Sequence, residues 1–196
     1  NKKVCNKLPA SFVFIIRVMK IKALKYRYLI QQYKNNIFNY SLYLLKNRMD
    51  AEDAAQETMI RIWKNMDSFK MKSAKQYIMK TTHNLCIDYL RKRKRGVQKE
   101  FSFDEEFAEN FYEDANYRNV EEVVHQKIMS DKIKEAINIL PDNLKSVFVL
   151  YEIEGMKYKE ISEILDLPMS SIKINLYRAR KTLRGKLSNY QPEDAI

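Results

Sequence analysis

Three glycines and four prolines in 196 residues leave few places where the chain can turn sharply. Neither G-x-G-x-x-G nor G-x-x-x-x-G-K-[ST] occurs, which argues against an enzyme that cradles nucleotide phosphates in a Gly-rich turn. The two cysteines, Cys5 and Cys86, form no C-x-x-C pair, and His83 and His125 stand far apart with no cysteine beside them. Neither a disulfide framework nor a metal site is expected, no cofactor is implied, and this cysteine usage suits a reducing cytoplasm. No apolar run approaches the ~20 residues of a membrane span. Ser11–Val18, behind Lys2, Lys3 and Lys7, imitates the start of a secretory signal, but Arg17 interrupts it and no small-x-small cleavage site follows. Met19 opens the first well-patterned helix, so residues 1–18 are expected to be an upstream or non-native extension, dispensable for stability and activity.

Charge and helix formers are what the chain has in quantity. It carries 36 Lys+Arg against 25 Asp+Glu, a net charge of +11, with 45% hydrophobic residues. That apolar content excludes a disordered chain, and the length allows one domain or two small ones. The charge is segregated: residues 1–49 hold 11 basic and no acidic side chains, 70–99 hold ten basic and one acidic, and 100–123 hold one basic and nine acidic. The acidic stretch contains Asp104, Glu105, Glu106, Glu109, Glu113 and Asp114 without a sustained apolar period, and is most simply a solvated, flexible linker over 100–119. As a linker it divides the chain into units at 19–99 and 120–190; the alternative is an acidic surface loop of one domain, unusually long for a compact one.

In the first unit, Leu24, Leu29, Tyr33, Ile37, Tyr40 and Leu44 recur at helical spacing and predict an amphipathic helix ending near Asn47. Asp50 is the expected N-cap of a second helix, with Ala55, Met59, Ile62, Trp63 and Met66 as its apolar stripe. The opposite face carries Glu52, Asp53, Gln56, Glu57 and Arg61, an acidic patch in a basic unit that invites a protein partner. Ser73 and Gln76 have capping-box spacing. In the helix that follows, Ile78, Leu85 and Tyr89 are placed to pack, while Lys80, His83, Asn84 and the run Arg91–Arg95 offer a basic, hydrogen-bonding face suited to phosphates and bases.

In the second unit, Val120–Leu140 is helical by pattern, through Val123, Val124, Ile128, Ile133 and Ile137, and Pro141 ends it. Asp142 is the expected cap of a helix running through Phe148, Leu150, Tyr151 and Ile153 to Gly155. Lys157–Leu165 and Ser170–Leu187, joined by Asp166-Leu167-Pro168, form a helix-turn-helix whose second helix has six basic and no acidic residues over 169–187. Ile172, Leu176, Ala179, Leu183 and Leu187 make its packing face. In that geometry Ser170, Ser171, Lys173, Ile174 and Asn175 reach base edges, with Arg178, Arg180 and Lys181 placed for phosphates or flanking backbone.

Three stretches, in two separate regions, resemble one family in the same order: bacterial RNA polymerase sigma factors of the extracytoplasmic-function type. DAEDAAQETMIRIW at 50–63 resembles the core-binding helix of their region two, and YIMKTTHNLCIDYLRKRKR at 77–95 resembles the helix that melts the promoter and reads its minus-ten element. LPDNLKSVFVLYEIEGMKYKEISEILDLPMSSIKINLYRARKTLRGKL at 140–187 is similar to region four, which reads the minus-thirty-five element. The resemblance implies an all-α chain of two small helical domains, a region-two bundle and a region-four helix-turn-helix, with no catalytic residue. It places Asp53, Gln56 and Glu57 on the clamp helices of the polymerase beta-prime subunit, region four on the beta flap, and Asn84 and the Phe69–Ser73 loop, with Lys70, where a flipped non-template base is captured. With Lys80, His83, Arg91 and Arg93 these form the minus-ten set; Ser170, Ser171, Lys173, Ile174, Asn175 and Arg178 form the minus-thirty-five set. The implied partners are RNA polymerase core, promoter DNA and an anti-sigma factor; the free chain is expected to be a monomer, and nucleoid-associated when bound to polymerase. The chain departs from the family at His83, where Arg is usual, at Tyr77, where Trp is usual, at Asp166, where the turn often has Gly, and at Ile174-Asn175 in place of Ser-Arg.

Two other classes fit part of the chain. A free-standing helix-turn-helix regulator leaves the 50–63 helix unexplained. A nuclease would need a third ligand beside the i, i+4 pair Asp53 and Glu57, and no motif supplies one.

Overall fold

The structure, a computed structural model, describes residues 10–96 and 131–187, with side chains from Arg17 onward in the first helix. Cys5, the acidic stretch 100–119, the helix start at Val120 with Val123, Val124 and Ile128, His125, and residues 188–190 lie outside the described residues. The described residues are helical throughout, with short connections: α1 (Ala10–Leu45), α2 (Arg48–Lys64), α3 (Ala74–Gly96), α4 (131–139), α5 (Asp142–Phe148), α6 (Tyr158–Leu165) and α7 (Met169–Leu187).

Helix α1 runs without a break through Met19, so the expected boundary there is not marked by a change of backbone. Its apolar stripe starts later than the spacing suggested: Leu24 is 65% exposed, whereas Leu29 and Ile37 are buried. Lys46, in the left-handed region at φ 54, closes the helix by donating its N–H to the Leu42 carbonyl at 3.0 Å. The N-cap of α2 is Asn47, not Asp50, because the Asn47 side chain accepts from the Asp50 N–H at 2.9 Å. Asp50 lies in the first turn, where its charge suits the helix dipole. Ser73 closes a turn of 3-10 helix over Met71–Ser73, donating its hydroxyl to the Lys70 carbonyl at 3.1 Å, and no capping box forms with Gln76.

Helices α1, α2 and α3 enclose a small core of Leu29, Ile37, Ala55, Ile62, Met66, Ala74 and Ile78. Burying each large aliphatic there contributes about 1.5–3 kcal/mol. Trp63, assigned to this stripe by spacing, is instead 37% exposed and meets Tyr26 edge-on at 5.2 Å. In the second half Ile133 and Ile153, also expected to pack, are each 43% exposed. Asp142 is the first residue of α5 and makes no side-chain cap; Pro141 supplies the carbonyl that accepts from Leu144 and Lys145, at 2.9 Å each. After Phe148 the helix widens into a π turn over Val149–Ile153, Glu154 N–H reaching the Val149 carbonyl at 2.9 Å. Gly155, at φ 63, ends it as the sequence indicated.

The two halves share one cluster of buried side chains. Tyr40, Leu44, Leu45, Met79 and Cys86 of the first half pack with Ile137, Leu140, Val147, Leu150 and Ile161 of the second. Cys86 is a free thiol, pushed up to about 12 by burial. Lys145 is fully buried in the second half and its Nζ has no hydrogen-bond acceptor. Burial, then the nearby Lys46 charge, lower its ammonium to about 8, with Asp142 acting weakly in the other direction.

A lowered lysine value means that the unfolded state binds the extra proton above pH 8, so this group's penalty is full below about 8 and shrinks as pH rises toward the ordinary lysine value of 10.5. Lys145→Met is expected to raise stability at pH 7 by about 1–3 kcal/mol in urea unfolding, and that advantage over the wild type is expected to narrow between pH 8 and 10. A pH-independent difference would contradict the burial of a charged amine.

Candidate functional site

Three surfaces carry the residues singled out from sequence. On α2, Glu52, Asp53 and Gln56 are exposed and Glu57 is half-buried, forming one acidic face. Arg48 Nε pairs with Glu52 at 3.0 Å and Arg61 Nε with Glu57 at 2.8 Å. The Arg61 hydrogen bond holds the Glu57 carboxyl below the usual carboxylate range. Asp53 and Gln56 project into solvent between these pairs. Among the described residues no three His, Cys, Asp or Glu side chains converge as metal ligands.

On α3 the candidate DNA contacts split into two groups. Lys70, Ser73, Asn84 and Arg91 are exposed, and half-buried Phe69 stacks on Tyr77, with centroids 4.3 Å apart and planes 16° apart. That stack fixes an aromatic at the mouth of the Phe69–Ser73 loop. Tyr77 was read from sequence only as a departure from Trp, and the stack gives it a role in holding Phe69. Arg93 is occupied structurally, donating to Asp50 at 2.7 Å and to the Leu45 carbonyl at 3.2 Å, so it ties α3 to the α1–α2 turn.

The second group lies beneath α6. Lys80 Nζ donates to the Glu163 carbonyl at 2.7 Å and to the Asp166 carboxylate at 3.0 Å, and Gln76 donates to the Glu163 carboxylate. His83 is half-buried, with Nδ1 2.9 Å from the Tyr40 hydroxyl. Burial lowers the His83 imidazole to about 4, against a weaker opposing pull from Asp166. Near neutral pH it is therefore an uncharged hydrogen-bonding group, not a cation for phosphate.

The third surface is α7. Ile172, Leu176, Ala179 and Leu183 face the core, which turns Ser170, Lys173, Ile174 and Arg178 outward, with Ser171 and Asn175 half-buried. Tyr177, 68% exposed, stands on the same outer face. Sequence reading passed over it, although it lies three residues after Ile174 and next to Arg178. Arg180 is committed elsewhere: it pairs with Glu152 at 2.6 Å and lies 5.4 Å from the Tyr151 ring centroid. Tyr151 stacks on Tyr158, and Lys173 sits over the Tyr158 ring. These contacts hold α7 against the turn before α6 and present its first two turns outward, the part that reaches a major groove in such motifs.

Comparison with known proteins gives consistent matches. The family model of Sigma-70 region 2 matches residues 29–96 and that of Sigma-70, region 4, matches residues 130–183. The chain is 32% identical over 166 residues to the ECF RNA polymerase sigma factor SigW of Bacillus subtilis, covering 81% of this chain and 87% of SigW. It is 28% identical over 155 residues to SigM of Bacillus subtilis, covering 79% of this chain and 90% of SigM. It is 28% identical over 167 residues to SigE of Mycolicibacterium smegmatis, covering 85% of this chain but 63% of SigE. The fold is that of the sigma factor RpoE in complex with the anti-sigma factor NepR from Bartonella quintana, at a TM-score of 0.69 and 24% identity, covering 85% of this chain and 99% of RpoE. CnrH, in complex with the cytosolic domain of CnrY, shares it at a TM-score of 0.57 and 16% identity, covering 85% of this chain and 89% of CnrH.

In a nitrogen-detected NMR titration, the His83 ring of the free chain is expected to stay neutral down to about pH 5 and to protonate near 4. A midpoint close to the ordinary 6.5 would mean that the ring is not buried in the free chain.

Proposed function

The chain belongs to the ECF family of RNA polymerase sigma factors, and from that premise we propose that it binds RNA polymerase core, directs it to particular promoters and assists strand opening, while catalysis stays with the polymerase. The observation that supports this most is the pairing, in one chain and in family order, of an exposed acidic α2 face with an exposed, acid-free recognition helix α7.

Core docking falls to Asp53, Gln56 and Glu57 on α2, whose negative face is suited to a basic helical surface such as the beta-prime clamp helices. Region four, 120–190 in this chain, would meet the beta flap. Reading of the minus-ten element falls to the α3 face and its loop: Phe69, Lys70, Ser73, Lys80, His83, Asn84 and Arg91, with Arg93 as a positioning residue held by Asp50. Strand opening costs unstacking energy that base stacking on aromatics offsets, at about 1–3 kcal/mol per base. The Phe69–Tyr77 stack is the aromatic platform available for it. The minus-thirty-five element is read by Ser170, Ser171, Lys173, Ile174 and Asn175, with Arg178 on phosphate and Tyr177 beside it. Asn175 suits adenine and Ile174 a thymine methyl.

Among the described residues no helix is long and apolar enough to cross a membrane. The structural relatives RpoE and CnrH were solved with bound protein partners, which supports an anti-sigma partner for this chain as well.

The reading is tested by size-exclusion co-elution with polymerase core, followed by run-off transcription from the same fractions; tight duplex binding by the chain alone without core binding would favour a free-standing regulator. Replacing Asp53, Gln56 and Glu57 together with Ala is expected to abolish co-elution while leaving the thermal unfolding midpoint unchanged, since all three lie on the outer face of α2. Substituting Lys173 or Arg178 with Ala is expected to weaken binding of holoenzyme to the upstream promoter element and to lower the slope of log affinity against log salt by about 0.9 per lost phosphate contact. An unchanged slope would take that residue off the DNA.

A further inference from the structure

Helix α1 is apolar on two nearly opposite faces. At the helical repeat, Tyr26, Leu29 and Tyr33 fall on one side and Ile21, Leu24 and Tyr28 on the other. The first side packs inward: Leu29 is buried, and Tyr26 and Tyr33 lie half-buried against the core shared with α2 and α3. The second side is in solvent, with Ile21 47%, Leu24 65% and Tyr28 57% exposed. One turn further on, the same outward line carries Gln31, Gln32 and Asn35, all exposed, so the apolar ridge is confined to about 10 Å of the helix.

Cations frame this ridge. Lys25 flanks it on one side and Lys20 and Arg27 on the other, all exposed, and residues 1–49 contain no acidic side chain. Lys22, on the inner side, is taken up by Asp67 at 2.8 Å and by the Trp63 ring. Next to the ridge, α1 and Trp63 enclose an open groove of about 910 Å³ lined by Ala23 and Ile30. Lys20, Arg27 and Lys34 recur at seven-residue intervals and so follow one edge of that groove. A nucleic-acid backbone would use these cations and leave the ridge wet. An anionic bilayer takes up both, phosphates on the basic side chains and acyl carbon on the aliphatic ones.

We propose that the outer face of α1 is a peripheral docking surface for an anionic phospholipid membrane. Ile21, Leu24 and Tyr28 enter the boundary between headgroups and acyl chains, and Lys20, Lys25, Arg27 and Lys34 lie on the lipid phosphates. Tyr28 and Trp63 are aromatics suited to headgroup level. The surface uses none of the residues assigned above to polymerase or DNA, so it stands whether or not that assignment does.

The experiment sediments the full chain with phosphatidylcholine vesicles, with or without about one-third phosphatidylglycerol. The wild type is expected to bind the anionic vesicles and not the neutral ones. Replacing Ile21, Leu24 and Tyr28 together with Ser is expected to weaken that binding more than about tenfold while leaving the thermal unfolding midpoint unchanged. A lowered midpoint would shift the decision to Leu24→Ser alone, the most exposed of the three, with an expected loss of about threefold. Replacing Lys20, Lys25 and Arg27 together with Gln is expected to cost about fivefold per charge, on the order of 100-fold in all. Failure of the wild type to bind anionic vesicles overturns the proposal. So does full binding by the serine variant, which would mean adsorption through charge alone, as on the basic faces of α3 or α7. If the glutamine substitutions weaken binding to a non-specific DNA duplex as much as to vesicles, the face is a nucleic-acid contact and the proposal falls.

Discussion

Glu154 is the joint on which the arrangement of the two halves turns. It closes the π turn over Val149–Ile153, is 5% exposed, and reaches across to the first half, where Asn36 Nδ2 donates to its carboxylate at 2.8 Å. Lys75 lies 3.7 Å from the same carboxylate and also donates to the Glu154 carbonyl. A carboxylate buried this far costs several kcal/mol in lost hydration unless charge and hydrogen bonds compensate it. Asn36 and Lys75 supply that compensation from α1 and α3, so the second half can seat Glu154 only in one register. The π turn is what aims it: the wider ring shifts the backbone by one residue before Gly155 reverses the chain.

Once that register is set, electrostatics sorts the remaining faces. Helix α6 and its turn carry Glu163 and Asp166, and it is these acids that meet the basic side of α3 through Gln76 and Lys80. The basic helix α7 is directed away from α3, held back by Arg180 on Glu152 and Tyr151. The acidic face of α2 lies elsewhere again. Two of the three candidate binding faces are therefore open, and the third is engaged in part, at Lys80, while Lys70, Ser73, Asn84 and Arg91 stay exposed.

The sequence showed the helices and which faces they turn outward, because period and charge are local properties. The α2 acidic face, the inward residues of α7 and the Gly155 stop were all legible. Capping was less so: Asn47 and Asp50 are both good N-caps three residues apart, and only the backbone decides that Asn47 is the cap and Asp50 the partner of Arg93. Trp63 has the right spacing for the core, yet Tyr26 and Lys22 pair with it at the surface. Composition gave no sign of the π turn, of Lys145 in the interior, or of the contact between halves. A pattern of apolar residues states that a face is buried, not against what. Lys80 read as an open basic side chain for this reason, since the Glu163 carbonyl and the Asp166 carboxylate that it meets lie more than 80 residues further on.

Magnitudes indicate how firmly the halves are joined. The contact gains apolar burial from Tyr40, Leu44 and Leu45 against Val147 and Leu150. Against this stands Lys145, buried beside Lys46 with no acceptor, where a group that would be hydrated in an opened chain is held dry. Opening re-exposes carbon surface and strips Glu154 of its partners, but it returns water to Lys145 and frees it from a like charge. The polar pair at the outer edge, Lys80–Asp166, adds about 0.2–1 kcal/mol at most. The joint thus sets one unfavourable term, the buried lysine, against the apolar contact and the Glu154 seat.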